Sequence, residues 1–200
     1  MSSAISIPRI SAAEYLRRER LAETKSEFQR GRLVAISGAS RFHCRIATNL
    51  MFRLVSQLQG RGCNVYGSDL RVSVNGGEAY FYPDLSVTCG KEVFEDDRFD
   101  CLVNPVVVIE ILSASTESRD RGEKFQDYQT IPSLREYVLV SQSTRRMELF
   151  RRRDDGTWLY QSWPFSEPPL VLQSIGCTLQ ADDVYFQVED QAEGEGTPET

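Results

Sequence analysis

The chain has 200 residues, 40% of them hydrophobic and 26% charged, which suits one globular domain with a sizeable core. It has no apolar run near the roughly 20 residues that a membrane helix needs, and its opening MSSAISIPRI lacks the basic-then-apolar layout of a secretory signal, so a cytoplasmic protein without membrane contact is expected. Five scattered cysteines with no CxxC pair argue against a disulfide framework or a structural zinc, and a single histidine removes His-rich metal chemistry; free buried thiols and oxygen-held ions such as magnesium or manganese are what remains.

The formal net charge of -6 counts against a nucleic-acid partner, but its distribution matters more than its sum. Glu189, Asp190, Glu193, Glu195 and Glu199 lie in a terminal stretch without Lys or Arg, so the body is near neutral and the acidity belongs to the tail. Residues 1–188 are expected to form a single domain and residues 189–200 an acidic, disordered tail.

In chain order, residues 11–23 predict a short charged helix with Ser11 as cap and Glu14 at capping-box distance. Residues 25–36 read as a hairpin turning at Arg30-Gly31. From Ser40 to about Gln59, Ile46, Leu50, Leu54 and Leu58 recur at every fourth position and give a helix one apolar face, closed by Gly60 and Gly62. His43 falls in its first turn, where the role of a hydrogen-bonded helix-start residue outweighs that of a catalytic base. Residues 63–74 predict a β-rich run, Asn75-Gly76-Gly77 a turn, and residues 79–87 another strand with Asp84 near its middle, beside Pro83. Residues 90–100 read as an exposed loop whose acids are mostly a solvated surface.

The next stretch is the centre of the sequence. Val106 to Ile109 lead into Glu110, and Ile111 and Leu112 follow it, which predicts a strand buried on both faces with a carboxylate inside it. A lone carboxylate there costs several kcal/mol, on the order of a desolvated charge, so a metal, a cation or a hydrogen-bond network is expected beside Glu110. The hydroxyl run Ser113-Ala114-Ser115-Thr116 reads as a turn and cap, followed by a polar helix through Arg119, Asp120, Lys124 and Tyr128. Strands are then expected over 135–140, 145–153 and 158–163, the last two joined at Asp154-Asp155-Gly156, and a short strand and turn over 170–188. Arg145, Arg146, Arg151, Arg152 and Arg153 fit two readings equally, phosphate contact and charged protection of an exposed strand edge. The element order describes a mixed α/β or α+β domain.

With Pro83-Asp84, Glu110-Ile111-Leu112 and Lys124 in view, the chain resembles the Uma family of restriction-endonuclease-like proteins within the PD-(D/E)xK nuclease superfamily. The likeness runs from about Glu14 to Val188 and includes Glu27-Phe28, His43, Gly67-Ser68-Asp69-Leu70, Arg119-Asp120-Arg121-Gly122-Glu123-Lys124 and Glu136-Tyr137-Val138-Leu139-Val140. It implies a restriction-endonuclease-like core, a central mixed sheet flanked by helices, in which Asp84 and Glu110 bind a divalent metal. The superfamily pattern places its lysine two residues after the glutamate; Leu112 stands there instead, and Lys124 in the next helix is the residue that would carry the role.

The resemblance implies a magnesium- or manganese-dependent DNA endonuclease with Asp84, Glu110 and the Ile111 carbonyl as metal ligands, Lys124 as cationic helper, Glu27 as an extra acid near the metal, and Ser113 and Asp120 as hydrogen-bond partners behind them. A two-fold dimer would suit the cutting of both DNA strands. Three alternatives remain: an inert buried ion pair of Glu110 with Lys124, a non-catalytic nucleic-acid- or protein-binding module on the same scaffold, and, with little support, a cysteine hydrolase built on Cys44 or Cys89 with His43.

Overall fold

The structure of the protein is a computed structural model that describes residues 9–164 and 168–188; the acidic stretch 189–200 lies outside the described residues. The apolar run Val107–Leu112 forms β8, and all of its residues are buried. It lies inside a six-stranded sheet ordered β11-β10-β9-β8-β6-β3, made of β3 (Cys63–Gly67), β6 (Leu85–Cys89), β8, β9 (Glu136–Ser141), β10 (Met147–Arg152) and β11 (Trp158–Trp163). β8 and β9 are parallel and the other pairs antiparallel, so the sheet is mixed. A parallel pair needs a crossover, and here it is the helical segment of α3 (Glu117–Arg119), a π-helical turn (Asp120–Lys124) and α4 (Phe125–Tyr128).

Alternation along β8 sends its side chains to two different cores. Val107, Ile109 and Ile111 pack with Ile46, Leu50, Leu54 and Leu58 of α2 (Arg41–Leu58), the predicted four-residue stripe. Val108 and Leu112 join Phe81, Tyr128, Tyr137 and Leu139 on the opposite side. That side is covered by a second sheet, ordered β2-β1-β5-β4-β7 and formed by β1 (Ser26–Gln29), β2 (Arg32–Ala35), β4 (Arg71–Val74), β5 (Ala79–Phe81) and β7 (Cys101–Leu102). The architecture is thus α+β, with a central mixed sheet between helix α2 and a smaller sheet. β12 (Leu170–Leu172), β13 (Cys177–Leu179) and α5 (Ala181–Val184) close the α2 side.

Local chemistry accounts for the boundaries. Ser11 and Ser40 cap α1 (Ala12–Glu19) and α2, each accepting a backbone N–H at 3.1 Å. The first hairpin turns where Arg30 and Gly31 both take positive φ, +47° and +89°, as a two-residue type I′ turn requires.

Three expectations need correction. Helix α1 ends at Glu19 rather than near residue 23, because the Glu19 carboxylate is used to accept from the Ser26 backbone N–H (2.8 Å) and hydroxyl (2.6 Å). Residues 79–87 are two strands in different sheets: Pro83 ends one, and Asp84 occupies the bend between them instead of a strand centre. Cys63 and Cys89, 26 residues apart, face each other across β3 and β6 and form a disulfide, while Cys44 is exposed and only Cys101 and Cys177 are the expected buried free thiols. The acids of residues 90–100 are exposed or half-exposed, and Asp100 also pairs with Arg20 (2.8 Å) and Arg71.

Candidate active site

The bend before β6, the second half of β8, strand β1 and the π-helical turn meet at one cavity of about 520 Å³. Every residue expected at the site lines it: Glu27, His43, Asp84, Glu110, Ile111, Ser113, Asp120 and Lys124. Glu110 reaches the cavity because it alternates with Ile109 and Ile111 and so points away from α2, toward Tyr128 and Lys124. The helical crossover supplies its partners at four-residue spacing, so that Asp120, Lys124 and Tyr128 share a buried face.

Lys124 is 5% exposed and is held by three carboxylates: Glu27 at 2.9 Å, Glu110 at 3.0 Å and Asp120 at 3.3 Å. Burial alone would discharge its ammonium, but Glu110, Glu27 and Asp120 outweigh burial and hold its pKa above the ordinary lysine value. Glu110 also accepts from the Tyr128 hydroxyl at 3.1 Å. Burial pushes the Glu110 carboxyl well above the usual carboxylate range against the pull of Lys124, and Asp120, Asp84 and Glu27 add to the push. Asp120 is raised by burial in the same way.

Asp84 is fixed on both sides. Its Oδ1 lies 2.8 Å from His43 Nε2, and its Oδ2 accepts the Ile111 backbone N–H at 2.6 Å. His43, in the first turn of α2, is thus hydrogen-bonded to Asp84. Ser113 contacts the hydroxyls of Ser115 (3.0 Å) and Thr116 (3.1 Å) at the cavity wall. Leu112 is buried in the second core, and the cation beside Glu110 is Lys124 of the crossover.

Arg119 and Tyr128 were missed as site residues. Tyr128 follows Lys124 by four residues, a helical spacing that places it on the same face. Arg119 has no such signal. Its Nη1 pairs with Glu27 and its guanidinium lies 5.5 Å over the Phe81 ring, while its Nε and Nη2 are buried with no hydrogen-bond partner among the described residues.

Four carboxyl groups, Glu27, Asp84, Glu110 and Asp120, thus face two inner cations, Lys124 and Arg119, since Lys25 is paired with Asp69. Among the described residues no three His, Cys, Asp or Glu side chains converge closely enough to hold a metal alone. Asp84 and Glu110 nevertheless offer hard oxygens beside an unbalanced negative charge. That fits an ion which takes one or two carboxylates and completes its shell with water and substrate phosphate, as magnesium does.

The geometry agrees with the similarity of the chain to known proteins. A family profile described as "Uma2: Putative restriction endonuclease" matches residues 12–181. Two uncharacterized proteins of Synechocystis sp. (strain ATCC 27184 / PCC 6803 / Kazusa) are similar: one is 35% identical over 89% of this chain and 92% of its own length, the other 39% identical over 75% and 85%. The crystal structure of a putative nuclease from Anabaena variabilis ATCC 29413 shares the fold, with a TM-score of 0.73 at 16% identity over 88% of this chain and 97% of that one. The chain belongs to the Uma2 family of putative restriction endonucleases.

Proposed function

We propose that the protein is a magnesium- or manganese-dependent, cytoplasmic endodeoxyribonuclease that hydrolyses phosphodiester bonds in DNA. The observation that carries this reading is the presence, in one cavity, of an excess of buried carboxyl groups beside a guanidinium with two orphaned nitrogens. The first feature complements a divalent cation and the second a phosphate oxygen, and a phosphodiester hydrolase needs both.

Asp84 and Glu110, with the Ile111 carbonyl, would hold the metal, which when bound polarises a phosphoryl oxygen and acidifies an attacking water. His43 keeps Asp84 oriented. Lys124 remains an ammonium, so it acts by fixing Glu110 and by its charge rather than as a base. Glu27 holds both Lys124 and Arg119, and Asp120 shares Lys124. Arg119 is left to bind the scissile phosphate. Two copies about a two-fold axis would allow both strands of a duplex to be cut.

Plasmid nicking with Mg²⁺ or Mn²⁺, compared among wild type, Asp84→Asn and Glu110→Gln, tests the proposal. Nicking by the wild type that both substitutions and EDTA abolish is expected. A wild type that binds DNA but neither binds metal nor nicks would replace the nuclease reading with that of a binding module.

A further inference from the structure

We propose that a second cavity, at the opposite end of β8 and β9, is an anion site that takes a phosphate group through Arg135 and Arg152. This cavity, of about 590 Å³, opens between Val106 before β8, the start of β9, the end of β10 and the β12–β13 turn. Val106 precedes Glu110 by four residues, which is about 13 Å of extended chain. The cavity is therefore separate from the one that contains the acids.

Its charges do not balance. Glu136 is fully buried, and its oxygens are taken by Arg151 Nε (2.8 Å), by the backbone N–H groups of Gln173 (3.0 Å) and Ser174 (3.1 Å), and by the Ser174 hydroxyl. Arg151 is thereby neutralised, leaving Arg135 and Arg152 on the wall with no carboxylate other than Glu136 among the described residues that line it. Burial and the charge of Arg135 lower the pKa of the Arg152 guanidinium. Arg152 is held in place nonetheless: it lies 4.8 Å over the Trp158 ring and donates Nη2 to the Gln129 carbonyl, while its Nε is buried with no partner.

Two like charges on the wall of one cavity are stabilised by an anion between them. A phosphate offers enough oxygens for two guanidinium groups at once, and the volume accommodates an attached nucleoside. The phosphate could belong to a DNA strand running over the protein or to a free nucleotide; both present the same group. β10 is an interior strand of its sheet, so protection of an exposed edge does not explain Arg152.

The test uses the full chain with Arg135→Glu, whose exposed position spares the fold, and Arg152→Gln, with Arg119→Gln as the control for the other cavity. Calorimetric titration with inorganic phosphate is expected to show a site that the Arg135 and Arg152 substitutions weaken by about tenfold or more, as the loss of charge-assisted hydrogen bonds would do, and that Arg119→Gln leaves intact. If the phosphate belongs to DNA, the same two substitutions also weaken duplex binding and lower its salt slope by about 1 for each phosphate no longer neutralised. If it belongs to a free nucleotide, affinity for a mononucleotide falls while the duplex salt slope is unchanged. Hydrolysis of bis(p-nitrophenyl) phosphate, a substrate too small to span the two cavities, is expected to be unaffected by Arg135→Glu. Phosphate, nucleotide and duplex binding all unchanged in both variants would overturn the proposal. Because phosphate binding is read without catalysis, this outcome is independent of whether the protein proves to be a nuclease.

Discussion

Glu110 and Glu136 sit on the adjacent parallel strands β8 and β9, each almost fully buried, and the molecule treats them in opposite ways. Glu136 receives Arg151, two backbone N–H groups and a hydroxyl, which is what a buried carboxylate needs in order to be a structural element. Glu110 has Lys124 and Tyr128, but it shares Lys124 with two more acids and has Asp84 nearby. Burial therefore does not mark the site by itself. The mark is burial without charge balance, here beside a guanidinium whose donors are also unused.

The largest effect is expected at Glu136, whose own oxygens have a full set of partners. Glu136→Ala leaves Arg151 and a set of backbone donors without their acceptor, and should cost about 3–5 kcal/mol in denaturant unfolding, the typical loss for a broken buried pair. A loss below about 1 kcal/mol, the level of an exposed pair, would mean that the two glutamates do not differ as described.

At the unbalanced end the loss should fall on activity. Arg119→Gln is expected to reduce cleavage by on the order of 10²-fold, about 2.7 kcal/mol of transition-state stabilisation, with a smaller loss in unfolding from the Glu27 pair that it also makes. Equal loss of stability and activity would make Arg119 a structural partner of Glu27 and nothing more.

Asp100 supplies a smaller, pH-dependent contrast. Arg20, and then Arg71, hold its carboxyl below the usual range against the upward push of its partial burial. Its native pKa lies below its unfolded one, so its contribution is present above the unfolded value and is lost as pH falls through the native value. Asp100→Asn should therefore cost about 1 kcal/mol at neutral pH, and the gap from wild type, followed by unfolding across an acid series, should close at low pH. A gap that widens toward acid would contradict that sign.

The features legible in the sequence were those set by local periodicity or turn chemistry. The four-residue stripe of α2, the Arg30-Gly31 turn and the wholly apolar surroundings of Glu110 in β8 each follow from residues close together in the chain. Glu110 was conspicuous, but the sequence around Glu136, an acid leading into Tyr137-Val138-Leu139-Val140, differs little from it in character. What separates the two acids is their partners, which arrive from Lys124, Tyr128, Arg151 and Ser174 through the tertiary fold. Lys124 was placed through the family resemblance, since the local position holds Leu112. The Cys63–Cys89 bond depends on strand register across 26 residues, and the splitting of residues 79–87 depends on two sheets diverging at Pro83-Asp84; neither is a local property. Arg119 is marked as a candidate only by its place on the cavity wall beside Glu27, which the fold provides.

The most direct measurement is the melting temperature of wild type and Glu110→Gln, each with and without Mn²⁺. If Glu110 is retained for its charge at some cost to the fold, the substitution leaves Lys124 with Glu27 and Asp120, and the variant melts at or above the wild-type temperature without metal. Mn²⁺ then raises the wild type, by about 2–4 °C for each kcal/mol of binding linkage, and does not raise the variant. A variant that melts several degrees lower and responds to Mn²⁺ as the wild type does would show Glu110 to be a structural acid like Glu136.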